Sequence, residues 1–282
     1  MTEERAASRT ALGVAFLRAA HQLLDGEPKV LDDEPIVRIL SPEVIARLTQ
    51  HPEQVQTPSA RQLRAHVVLR SRFAEDRLAA AVERGVRQYV LLGAGFDTFA
   101  LRQPEWARRI TIVEIDQPAT QAAKRARLAE LGIVVPPNVV YDPVDFETTT
   151  LREALPAAGV DVNAPVFFSW LGVTMYLTDD AVDHVLGTVA RLPRGTEIVL
   201  TFATPPDPNE EPARLSFAQR AAEVGEPWIT FFTSEALEAR LRSFGFTSVT
   251  FLTPQLARER YFRSRSDGLE APRRVSVVSA VV

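Results

Sequence analysis

An alternation of short apolar runs with helix-length segments, between Arg87 and about Ala203, constrains this chain most. Tyr89-Val-Leu-Leu is the first run and ends at Gly93. Ile110-Thr-Ile-Val-Glu-Ile, Asn138-Val-Val-Tyr, Val166-Phe-Phe-Ser-Trp and Glu197-Ile-Val-Leu-Thr-Phe follow. Segments of helical period lie between them, notably from Pro118 to about Leu131 and from Thr178 to Leu192. Strands apolar on both faces and separated by helices predict a parallel sheet covered on both sides, the doubly wound α/β class. Right-handed crossovers then place the loops after the strands along one edge, where ligands bind. Phe246 to Leu252 and Val275 to Val281 read as two further strands pairing antiparallel at the sheet edge, which makes seven.

The flanks read differently. Leu12, Phe16, Ala20 and Leu23 recur at helical spacing after a cap at Thr10, and Ser41-Pro42-Glu43 opens another helix. Pro58 to Arg84 has no further Gly or Pro and carries Leu63, Val67, Arg70, Ala74 and Leu78 on one face, so a long helix is expected. Residues 1–85 thus form a helical cap region, and residues 86–282 an α/β core in the same structural domain. Within that core a Pro-rich stretch, about 205–232, reads as a lid insert with a short helix from Ser216 to Val224.

The whole chain has 282 residues, 46% apolar and 24% charged, the balance of a globular protein. A formal charge of -4 argues against nucleic acid as the partner. There is no cysteine, which excludes disulfides, thiolate metal sites and cysteine nucleophiles. No apolar run reaches the roughly 20 residues that span a bilayer, and the polar, acidic start is unlike a secretory signal. A cytoplasmic location without membrane contact is expected.

The chemistry begins at Leu92-Gly-Ala-Gly-Phe-Asp-Thr, after the first strand. Gly93, Ala94 and Gly95 allow a tight turn and close backbone approach to a ligand before a helix. Thr98 holds the place of the third glycine of the dinucleotide pattern, and Asp97 would repel a pyrophosphate there. At the tip of the second strand Asp116 lies about 20 residues on, the place of a carboxylate that accepts from ribose hydroxyls. It also precedes Gln117-Pro118 and so suits a helix cap. Glu114 shares its strand face as a supporting residue. Asp145 and Phe146, after the third strand, offer an acceptor and an apolar surface to an adenine ring.

These motifs together resemble the leucine carboxyl methyltransferase family, and more closely its bacterial branch of S-adenosylmethionine-dependent O-methyltransferases. The resemblance runs from Thr10-Ala-Leu-Gly-Val-Ala through Arg70-Ser-Arg-Phe, Leu92-Gly-Ala-Gly-Phe-Asp-Thr, Val113-Glu-Ile-Asp-Gln-Pro, Val144-Asp-Phe-Glu and Gly172-Val-Thr-Met-Tyr-Leu to Gly225-Glu-Pro-Trp. It implies a class I, Rossmann-like methyltransferase fold with S-adenosylmethionine as cofactor. It implies further that Arg70 holds the cofactor carboxylate, a task suited to a guanidinium fork, with Arg72 as second candidate. Gly93, Asp116, and Asp145 with Phe146 match the family's glycine, ribose and adenine positions. Leu171 stands where the leucine carboxyl methyltransferases have a glutamate. Backbone carbonyls at Leu171 would take over its contact with the cofactor, and the family's protein substrate does not carry over.

The four histidines, His21, His51, His66 and His184, make no metal-ligand spacing, so no metal is expected. His66 lies one turn before Arg70 and borders the expected site as a candidate base. Trp170 and Met175 read as core, and Tyr176 as a wall of the substrate pocket. No residue presents itself convincingly as a general base, which favours a small-molecule acceptor with a carboxylate or acidic hydroxyl, activated without one. A nicotinamide-dependent oxidoreductase on a related fold, or a cofactor-binding protein without catalysis, remain the alternatives.

Overall fold

The computed structural model describes residues 8–145, 148–205, 218, 221–223 and 225–282. Its core is a seven-stranded sheet: β1 (Gln88–Leu92), β2 (Thr111–Asp116), β3 (Val139–Pro143), β4 (Phe167–Trp170), β5 (Glu197–Thr201), β6 (Ser248–Phe251) and β7 (Val277–Val281). The order across the sheet is β3-β2-β1-β4-β5-β7-β6. The first five strands run parallel. β7 inserts antiparallel between β5 and β6, with Thr201 opposite Val277. The reversal between β1 and β4 opens the crevice in which such sheets hold ligands.

Four helices precede the sheet: α1 (Arg9–Leu24), α2 (Glu34–Ile39), α3 (Pro42–Gln50) and α4 (Pro58–Glu83). α5 (Pro118–Glu130), α6 (Leu151–Ala157) and α7 (Asp179–Val189) are crossover helices, followed by α8 (Ser234–Phe244) and α9 (Pro254–Ala257). α8 ends at Gly245, whose φ of +106° suits a residue without Cβ. Alternate strand residues serve opposite faces. Val90, Leu92, Val113, Ile115, Phe168 and Ile198 meet residues of α6, α7 and α8 in one buried cluster. Tyr89, Leu91, Ile112, Phe167 and Val199 meet α4 in the other. A third cluster joins α1, α2 and α3 to Phe96 of the glycine loop and Leu128 of α5.

Several sequence expectations are corrected here. Ser8, not Thr10, caps α1, accepting from the Ala11 amide. Leu12 and Leu23 are 42% and 40% exposed, so α1 does not turn its larger apolar side chains inward as a set. Its buried residues are Ala15, Arg18, Ala19, Ala20 and His21. Small alanines allow close packing, while Arg18 and His21 are buried because acidic partners await them. The glycine loop is not followed by an α-helix: short 3-10 turns at Phe99–Leu101 and Glu105–Arg109 take its place. Of the expected lid helix, Ala218 and residues 221–223 are helical, and the rest lies outside the described residues.

A buried charge cluster ties α1 to α4. Arg64 donates to both oxygens of Asp25, at 2.7 and 2.8 Å. His21 Nε2 accepts from the Val30 amide at 3.1 Å, so its Nδ1 carries the proton and donates to Asp25 at 2.8 Å. Burial lowers the His21 pKa, which keeps the ring neutral. Arg64→Ala leaves Asp25 buried without its main counter-charge. The expected loss is about 3–5 kcal/mol of folding stability, read by urea denaturation. A loss within experimental error would show that the cluster does not dock α1.

Candidate functional site

The tips of β1, β2 and β4 meet α4 at one place. Gly93 takes φ +68° and donates to the Ile115 carbonyl at 2.8 Å. A Cβ on Gly93 would stand 2.5 Å from Val173 Cγ2, and one on Gly95 3.3 Å from Ala11 of α1. Only a bare backbone passes between these neighbours. Asp97 closes the turn by donating from its amide to the Ala94 carbonyl at 2.8 Å.

Asp116 is half-buried at the end of β2. Its Oδ2 accepts from the Gly95 amide, and its Oδ1 from the Gln117 amide at 2.6 Å. Burial raises its pKa, and those two amides oppose the rise. Gln117, not Asp116, is the N-cap residue of α5, so the capping reading of Asp116 does not hold; its carboxylate ties the glycine loop to β2 and keeps lone pairs for a ligand. The β3 tip is fixed to the same point, since the Val144 amide donates to the Asp116 carbonyl at 2.9 Å. Asp145 lies next to it, half-buried, its carbonyl accepting from the Thr148 and Thr149 amides. Phe146 lies outside the described residues.

Arg70 reaches the β4 tip. Its Nη1 and Nη2 would lie 2.7 and 2.8 Å from a Cβ on Gly172, which takes φ +78°. The guanidinium thus rests against bare backbone beside Leu171, whose side chain packs towards α4. Burial draws the Arg70 pKa down to about 10, and among the described residues it forms no ion pair. A cation in a crevice without its own anion is a fitting seat for a ligand carboxylate. Arg72 is excluded from that role, because it is exposed and spends its guanidinium on Asp76 at 2.8 Å. His66, a turn before Arg70, is half-buried, and burial with the Arg70 charge holds its pKa at about 3. Tyr176 is half-buried, and Trp170 and Met175 are core as expected.

Sequence reasoning missed the frame around the loop. Arg18 of α1 donates to Asp97 at 3.2 Å and to Thr98 at 2.8 Å, and pairs with Asp33 at 2.6 Å. Thr98 donates to Asp33, and Arg102 forks onto Glu75 of α4. Thr98 is therefore a buried junction of a polar network. Glu226, in the Gly-Glu-Pro-Trp segment, accepts from the Ser8 hydroxyl at 3.2 Å and the Arg9 amide at 3.1 Å. It ties the start of α1 to that segment. Contacts between residues 15 to 218 positions apart leave no local spacing to find.

The model of the leucine carboxyl methyltransferase family matches residues 11–190, which span every element just described except the Glu226 contacts. The chain belongs to the leucine carboxyl methyltransferase family. A Bacillus subtilis (strain 168) relative, named "Putative S-adenosyl-L-methionine-dependent methyltransferase YktD", is 30% identical over 97% of both chains. Two solved structures share the fold. One is a DUF574 family protein from Streptomyces avermitilis MA-4680, with TM-score 0.55, 17% identity and coverage of 94% of this chain and 95% of that one. The other is a "putative methyltransferase" from Thermobifida fusca YX, with TM-score 0.55, 21% identity and coverage of 94% and 92%. The class I methyltransferase fold expected from the motifs is thus found.

The glycine loop makes a stability test of this family site possible. Gly93→Ala should cost about 1–2 kcal/mol for the left-handed backbone, plus about 1–3 kcal/mol for the clash with Val173. Val173→Ala in the same chain should recover the second part alone. The two substitutions should therefore couple by about 1 kcal/mol or more in a double-mutant denaturation cycle. Simple additivity would mean that Val173 does not press on Gly93.

Proposed function

We propose that the chain transfers the methyl group of S-adenosylmethionine to a carboxylate or acidic hydroxyl of a small molecule. The cofactor follows from the family and from its named relatives. The observation that carries the site reading is the convergence of Arg70, the Gly93–Gly95 turn and Asp116 on one crevice. Arg70 would hold the amino-acid carboxylate of the cofactor, Asp116 its ribose hydroxyls, and the β3 tip at Asp145 its adenine. The Leu171 side chain brings no charge, so backbone at the β4 tip would face the ammonium group.

When bound, the cofactor supplies a methyl carbon already activated by its sulfonium. What the protein must add is alignment of a nucleophile with the carbon–sulfur bond. Neither residue expected at the pocket serves well as a base at neutral pH. His66 is held near 3, a weak base, and burial raises the Tyr176 phenol, which stays protonated. An acceptor already anionic needs no proton removed. An open depression of about 440 Å³, lined by none of the cofactor-site residues, lies beyond β5. It is lined by Thr204 after β5, Thr233 and Ser234 at the start of α8, and Arg273 and Arg274 before β7.

The nicotinamide reading fits less well. No α-helix starts behind the glycine loop to receive a pyrophosphate. Asp97 stands there instead, its pKa lowered despite burial because Arg18, Arg102 and Lys124 surround it.

Arg70 tests the site reading. S-adenosylhomocysteine should raise the melting temperature of the wild type by mass action. Arg70→Ala should weaken it by about 1.5–3 kcal/mol, the range for a hydrogen bond to a charged group, and leave adenosine, which has no carboxylate, nearly unaffected. Arg70→Lys should restore binding only in part. Equal loss for both ligands in calorimetric titrations would refute the carboxylate role. Methyl transfer to aliphatic alcohols but to no carboxylic acid or phenol would refute the acceptor class.

A further inference from the structure

Beneath the glycine loop lies a buried ion pair that the reaction itself does not use. Lys124 of α5 and Glu114 of β2 are each 1% exposed. Lys124 Nζ donates to Glu114 Oε2 at 2.5 Å and to the Asp97 carbonyl at 2.6 Å. The Asp97 carbonyl ends the turn that begins at Ala94. The Asp116 carboxylate grips the same turn at the Gly95 amide. The β2–α5 unit therefore holds the loop at two points, on either side of Phe96.

We infer that the Lys124–Glu114 pair is a positioning device, fixing the glycine loop in the shape that receives the cofactor. This rests on the cofactor site proposed above. The pair is poorly built for stability. Glu114 Oε1 is buried without a hydrogen-bond partner among the described residues. The Gln121 side-chain oxygen and the Tyr141 hydroxyl share that condition. Burial pushes the Glu114 carboxyl up to about 7; Lys124 opposes the rise, and Asp97 and Asp116 add to it. An ion pair in such a place generally stabilises no more than an apolar pair of similar volume. What an apolar pair cannot supply is a cation aimed at the Asp97 carbonyl.

The two roles have opposite pH signatures. A carboxyl with its folded pKa raised from 4.5 to about 7 binds a proton on folding. Its contribution to stability is full below the lower value and is lost as pH rises through the upper one. Positioning runs the other way. Protonation of Glu114 removes the counter-charge that orients Lys124, so the hold on Asp97 weakens as pH falls through 7. The charged or titratable neighbours are Asp116 beside Glu114 on β2, Asp97 in the loop, and Tyr141 on β3, whose ring lies 5.8 Å from Lys124 and 5.6 Å from Arg125 of α5.

The test is calorimetric titration of the full chain with S-adenosylhomocysteine, beside thermal melts. The double variant Lys124→Met, Glu114→Met should melt close to the wild type, yet bind about tenfold more weakly or worse. Glu114→Gln, a conservative change that retains an acceptor for Lys124, covers the case in which the double variant does not fold. Wild-type affinity should fall severalfold from about pH 8 to about pH 6, while the melting temperature moves the other way. Glu114→Gln should show the weaker affinity throughout, without that inflection. Wild-type affinity in the double variant, or the same pH profile in wild type and Glu114→Gln, would overturn the inference and leave the cofactor site standing. No binding by the wild type at about pH 8 would overturn the cofactor site and this inference with it.

Discussion

The site depends on the path of one turn, from Gly93 to Thr98. It must pass between the β4 tip and α1 with no helix behind it to fix its direction. Charged groups supply that direction. The Asp116 carboxylate holds its middle, Lys124 holds the Asp97 carbonyl, and Arg18 holds the Asp97 carboxylate. Two of these come from the β2–α5 unit and one from α1. The loop is therefore where the helical first part of the chain and the sheet are joined, and the third buried cluster forms around Phe96 beside it.

The sheet was legible because its signal is local. A strand buried on both faces must be a continuous apolar run, and Tyr89–Leu92 or Val166–Phe168 is one wherever it occurs. Gly93, Gly95 and Asp116 were legible for a related reason. Strand tips in this topology fall at predictable places, so a glycine or carboxylate there already has a position. The insertion of β7 between β5 and β6 is a matter of pairing between distant segments, and the end strands alone did not carry it.

What the sequence hid is polar and long-range. Arg18 looks like one more arginine on a surface helix until Asp33 and Asp97 are brought to it. Thr98 looks like a lapse from a glycine pattern until its hydroxyl is seen between Arg18, Asp33 and Arg102. The mixed character of the buried face of α1 has the same origin. Periodicity counts leucines, but a helix buries whatever finds partners, and here those were alanines, an arginine and a histidine. Arg70 and Arg72 were separable only once Asp76 was found to occupy one of them.

Charge completes the argument about what this crevice is for. A folded protein leaves few buried ionisable groups without an opposite charge, because desolvation is costly. Arg70 is such a group, and Glu114, although paired with Lys124, keeps a second buried oxygen without a hydrogen-bond partner among the described residues. Arg70 sits at the β4 tip and forms no ion pair among the described residues, its pKa lowered by burial. Glu114 sits on β2, between β1 and β3, with one oxygen lacking a partner among the described residues, its pKa raised by burial. Neither is explained by stability. A ligand bearing a carboxylate, as proposed above, would supply an anion to offset the burial of Arg70. Glu114 is explained by Lys124, since only a fixed counter-charge keeps that ammonium on the loop. One group waits for charge from outside and the other directs charge within, and the glycine turn is where a cofactor with an amino-acid end and a ribose end would lie.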